Sequence, residues 1–88
     1  MPVVSQFYGI IITMYYNDNE KHHLPHLHAE YAEFDGVFDF QGKMIQGKIP
    51  TKQRKMIEVW INIHKEELES LWILMKQYNQ FFKIDPLK

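Results

Sequence analysis

The pattern of apolar positions changes near Pro50. Before it, apolar residues come in short blocks or alternate. After it, they recur at spacings of three and four, with no Gly or Pro from Thr51 to Gln80. Phe7 to Tyr16 (FYGIIITMYY) is rich in β-branched and aromatic side chains and predicts a strand. Its nearly continuous apolar run predicts a central strand covered on both faces. NDNEKHHLP carries turn formers without an apolar period and reads as a loop. Pro25 biases Leu24 toward extended geometry and feeds the next strand. In His26 to Tyr31, a repeat of two puts Leu27, Ala29 and Tyr31 on one face, with His26, His28 and Glu30 on the other. The apolar set is expected to face the core, leaving the histidines in solvent or in a cleft. Phe34-Asp35-Gly36 predicts a turn before VFDF, and Gln41-Gly42 or Lys43 makes a second turn before MIQGKI.

Pro50 suits the first turn of a helix, where its missing N–H is no loss. MIEVWINIH is ambiguous by itself, because Ile57, Val59, Ile61 and Ile63 alternate as in a strand. The wider stripe of Ile57, Ile61, His64, Leu68, Leu71, Met75, Tyr78 and Phe82 favours helix throughout. One unbroken helix of that length would run ~45 Å, whereas a domain of about 100 residues has a radius of gyration of only ~13 Å. A break near Asn62 to Lys65 therefore predicts two packed helices. The alternative is one long helix whose overhang is buried in a homodimer formed through the helical half. Either way, Trp60 and Trp72 are core or interface anchors. The expected fold is α+β: an antiparallel meander of three to four strands in residues 1–49, then two C-terminal helices in residues 50–82 packed on one face. A single domain is expected to span 1–88, since two cores would each fall below a self-sufficient size.

Composition narrows the function classes. With 45% hydrophobic and 15% aromatic residues, the chain can bury a core. It has no cysteine, which excludes disulfides and thiolate metal sites. The opening MPVVSQFYGIIITMYY lacks a basic leader region and is too short and too polar to span a bilayer. A cytoplasmic protein without membrane contact is the expectation. Ten Lys and Arg against eleven Asp and Glu give a net charge of −1, which disfavours bulk nucleic-acid binding and leaves room for a local basic patch. Neither Ser5 nor Ser70 sits in a strand-turn-helix elbow, and Gly36, Gly42 and Gly47 read as turn residues rather than a phosphate loop.

The residues with chemistry lie in HHLPHLH, residues 22–28, which holds four of the five histidines. Residues i and i+2 of a strand stand ~6.6 Å apart and point the same way, so His26 and His28 can converge on one ion. Neutral imidazole is a good ligand for a divalent transition metal such as Zn or Ni. His22 or His23 could fold back across Pro25 as a third ligand, and the candidate metal set is His22, His26 and His28. Glu30 is on the same face but ~13 Å from His26 along a flat strand, too far to share that ion. Acid–base catalysis is the alternative, with His26 and His28 holding one proton between them. A metal-free ribonuclease of that kind needs a cation for the phosphate, for which Lys48, Lys52, Arg54 and Lys55 are candidates around the proposed helix start. The plain alternatives are a polar loop whose histidines bond to backbone, and a solvated basic helix face. His64, on the apolar stripe, reads as a packing histidine.

MPVVSQFYGIIITMYYND, PHLHAEY, GKIP, the WINIHKEEL segment and the terminal KIDPL resemble a small bacterial family catalogued as a domain of unknown function, DUF4160. The resemblance covers nearly the whole chain. Its most specific parts are Ser5, Phe7, Tyr8, Gly9, Met14, Tyr15 and the His-Pro-His-x-His loop. In the family pattern a histidine closely follows Asn-Asp, and two prolines precede the paired histidines. Here Asn19 to Lys21 look inserted, His22 matches that first histidine, and Leu24 stands where the first proline is usual. The resemblance also favours helix for MIEVWINIH. It implies a gene neighbourhood like that of toxin–antitoxin pairs, and hence a small protein partner, with RNA as a substrate class. The leading expectation is an interaction protein. The alternative is a histidine-dependent metal-binding or RNA-cleaving protein.

Overall fold

The computed structural model describes residues 3–14 and 24–88. Five antiparallel strands form one sheet in chain order: β1 (Val3–Phe7), β2 (Ile10–Thr13), β3 (His26–Tyr31), β4 (Phe34–Asp39) and β5 (Met44–Lys48). Helices α1 (Thr51–Ile63) and α2 (Lys65–Tyr78) follow. The α+β class is as expected, but the strand count is five rather than three to four. The difference lies at Tyr8-Gly9, where FYGIIITM folds into a hairpin joining Phe7 to its partner Ile10. Both turn residues have positive φ, 49° and 79°, as the tightest hairpin turn requires. Tyrosine rarely adopts that conformation, so the turn carries no Asn-Gly signature. Nor is β2 covered on both faces: Ile10 and Ile12 are buried, whereas Ile11 is exposed.

The β3–β4 turn also differs from expectation. It falls on Ala32-Glu33, and Phe34-Asp35-Gly36 belongs to β4. Gly36 is glycine for contact rather than for turning, since a Cβ there would stand 3.1 Å from Ile49 Cγ1 and 3.1 Å from Met44 Sδ. Gly47, opposite it in β5, has φ +93° and lies so close that its Cβ would meet Asp35 O at 2.5 Å. Gly36 and Gly47 thus let two strands approach, and only Gly42 serves the Gln41-Gly42 turn as expected. There Asp39 Oδ1 accepts the N–H groups of Gln41 (2.9 Å) and Lys43 (3.0 Å).

The helices break where compactness demands. The longest extent of the molecule is 34 Å, which cannot hold one unbroken helix. His64 ends α1 with φ −108° and ψ 24°, and its carbonyl accepts the Leu68 N–H at 2.9 Å to start α2. Glu66 and Glu67 in the first turn of α2 suit its positive end. Glu67 Oε1 accepts from His64 Nδ1 at 2.6 Å, and the half-buried His64 ring packs on Trp60 at 5.3 Å. α2 stops at Tyr78, short of residue 82, because Asn79 takes a left-handed conformation and turns its N–H back on Leu74 O and Met75 O.

Register fixes which face is buried. Phe7, Ile10, Ile12, Ala29, Leu27 and Phe38 share one face through paired positions. They form one core cluster with Ile57, Trp60 and Ile61 of α1 and Leu68, Leu71 and Met75 of α2. The C-terminal segment after α2 returns to β1, where Ile84 N–H donates to Val4 O at 2.9 Å and Ile84 is buried. It covers an edge strand that would otherwise offer unpaired backbone groups. No described helix is long and apolar enough to cross a membrane.

Gly42 and Gly47, both at positive φ, should respond differently to alanine. Gly42→Ala is expected to cost about 1–2 kcal/mol of backbone strain, since its Cβ would have 3.8 Å of clearance from Glu58. Gly47→Ala adds a backbone clash and should cost about 3 kcal/mol or more. Urea unfolding of both variants checks this, and equal losses would contradict the close strand approach.

Candidate functional site

At one end of the sheet, β3 begins opposite the end of β4, with His26 paired to Asp39. Alternation puts Phe40, two residues beyond Phe38, on the helix side of the sheet and His26 on the opposite side. The Trp72 ring of α2 meets both, Phe40 edge-on at 6.1 Å and His26 at 5.5 Å. The indole therefore closes the strand ends and reaches around them.

His26 is fully buried rather than standing in solvent or an open cleft. Its Nδ1 lies 2.8 Å from the Leu24 carbonyl. A carbonyl only accepts, so Nδ1 carries the hydrogen of this contact. The half-buried His28 ring is 5.4 Å from His26, at 62° to it. Two imidazoles on one tetrahedral zinc have ring centres about 5 Å apart when each Zn–N bond is ~2.1 Å. The spacing fits a shared ion. Thr13, level with His28 on β2, is also buried, and its Oγ1 has no hydrogen-bond partner. Val37, level on the other side, is buried too. The next row along the same face, Ile11, Glu30, Asp35 and Lys48, is exposed. The pair thus occupies a sheltered part of an otherwise solvated sheet face.

Beside His26 is a cavity of about 520 Å³. Phe40 and Trp72 are its more buried apolar members, while Leu24 (54% exposed), Pro25 and Ile73 (52% exposed) are its outer ones. Asp39, Gln41 and Glu69 supply the polar lining. Sequence reading missed this groove. Trp72 and Ile73 lie just off the buried stripe of α2, and only an exposed Ile in an amphipathic helix hinted at a second apolar face.

The other candidates are dispersed. His22 and His23 lie outside the described residues. Among the described residues no three His, Asp or Glu side chains converge as a metal set. Lys48 is level with Asp35 and Glu30, four residues along the strand from the level of His26. That is ~13 Å along the strands and about 10 Å across two strand spacings. Lys52 and Lys55 are exposed on the opening turns of α1, and half-buried Arg54 pairs with Glu58 at 3.9 Å. The start of α1 has no side-chain cap and no acidic residue, which suits an anion. Lys48 is thus held apart from the histidine pair.

His26 is therefore a packing residue whatever else it does. His26→Ala should cost about 2–3 kcal/mol, through the lost ring contacts and the Leu24 carbonyl left without a donor. His28→Ala, half-buried, should cost about 1 kcal/mol. Urea unfolding distinguishes them, and an unaffected His26→Ala would contradict the burial.

No curated protein and no solved structure matches the chain. Residues 9–73, well over half of it, match a family model described as a domain of unknown function, DUF4160. The match takes in the second strand, the histidine loop and the first helix, and stops before the C-terminal segment that returns to β1. By that match the chain belongs to the DUF4160 family.

Proposed function

We propose that the chain is a small interaction protein, one component of a two-gene module of toxin–antitoxin type, and that it docks its protein partner in the groove beside Trp72. The observation that carries this reading is the groove itself: Leu24 and Ile73 stand more than half exposed around a half-buried indole. Aromatic floors with apolar surroundings and a polar rim are the anatomy of protein-binding hot spots. Among the described residues carboxylates rather than lysines line it, which suits a protein better than a phosphate backbone. Co-purification with the product of the adjacent gene tests the reading. Ile73→Glu and Leu24→Glu should each weaken binding at least about tenfold, or ~1.4 kcal/mol. Val59→Glu, on exposed α1 surface, should leave it unchanged. Groove variants that bind like the wild type would overturn the proposal.

A second reading, metal binding, is supported by the spacing of His26 and His28 and by the carbonyl that orients His26. Such a backbone acceptor is the usual outer partner of a ligating histidine. On this reading His22 is the third ligand and Zn or Ni the ion. Native mass spectrometry of metal-stripped protein should then show one ion per chain, lost in His28→Ala, a variant chosen because it spares the His26 packing. No ion bound at micromolar protein would end this reading. Metal-free cleavage of RNA has weaker support: of its candidate anion contacts Lys48, Lys52, Arg54 and Lys55, Lys48 stands away from the pair and Arg54 is already paired with Glu58.

A further inference from the structure

Resting on the docking reading above, we propose that the groove beside Trp72 recognises a basic side chain, arginine or lysine, presented by the partner. Two carboxylates, Asp39 and Glu69, line it, and among the described residues no lysine or arginine does. Backbone N–H groups of Gln41 and Lys43 hold the Asp39 carboxylate in place at 2.9 and 3.0 Å. The half-buried indole offers an aromatic face on which a cation can rest. Leu24, Pro25 and Ile73 supply apolar surface for an aliphatic stem. An apolar side chain in the same place would take water from the carboxylates and return no charge, whereas a basic one meets them. Lys65, itself outside the lining, donates to Gln41 Oε1 at 3.2 Å. Arginine is favoured over lysine, because its flat guanidinium can stack on the indole and reach a carboxylate at once.

The test follows the Trp72 indole N–H by NMR while the full chain is titrated with a capped Leu-Arg-Leu peptide and with its citrulline counterpart, which keeps the shape and removes the charge. The arginine peptide should bind about threefold more tightly, the scale of a partly exposed ion pair. Glu69→Gln should abolish that preference. Equal affinities, or an indole signal that neither peptide moves at millimolar concentration, would overturn the inference. If partner capture still depends on Ile73 when the preference is absent, the docking reading stands and only the basic-side-chain inference falls. If both are absent, the groove is not the docking surface.

Discussion

The fold depends on the burial of one indole. Trp60 is fully inaccessible to solvent and lies against Phe7 of β1 at 5.6 Å and against His64 at the helix break at 5.3 Å. A buried indole N–H needs an acceptor, and Asp85 O supplies it at 2.8 Å. One side chain thereby ties the first strand, the joint between the helices and the C-terminal segment together. A sheet with helices on only one face has a single core to carry it, so these ends of the chain must converge on that core. The return of the C-terminal segment also covers the β1 edge.

Trp72 plays the opposite part. It lies beside the buried stripe of α2, touches Phe40 and His26, and stays half exposed. Placed where the strands end, it closes the sheet incompletely and leaves an apolar groove next to the buried histidine. The same contact explains why the histidine pair has a structural and a chemical aspect together. His26 is packed and oriented by neighbours that it also helps to hold, so loss of function on removing it would not separate the two. His28, Ile73 and Glu69 are the positions where function can be separated from stability.

Much of the fold was legible in the sequence. The alternation in HLHAEY placed β3 correctly, and the three-and-four stripe with the length limit placed the helix break. The hairpin at Tyr8-Gly9 was hidden because tyrosine stands in a left-handed position that usually announces itself with asparagine. Asp35-Gly36 misled for a converse reason: a good turn dipeptide sits inside a strand because Ile49 and Met44 crowd the place where a side chain at 36 would stand. The end of α2 rests on one asparagine backbone conformation, for which the apolar stripe through Phe82 carried no signal. At the site, the convergence of His26 and His28 followed from strand geometry. The burial of His26 did not, because it depends on an indole forty-six residues away in sequence. The groove has no linear signature, since its residues come from a loop, a strand end and a helix.

The proposed docking surface is the strand end beside Trp72. Hydrogen–deuterium exchange of the chain, free and in complex with the product of the adjacent gene, tests that most directly. Docking there should concentrate the protection gained on binding around Leu24 to His26, Asp39 to Gln41 and Glu69 to Ile73. Protection confined to the exposed face of α1 around Val59 and Ile63, or to the Tyr8-Gly9 hairpin, would contradict it.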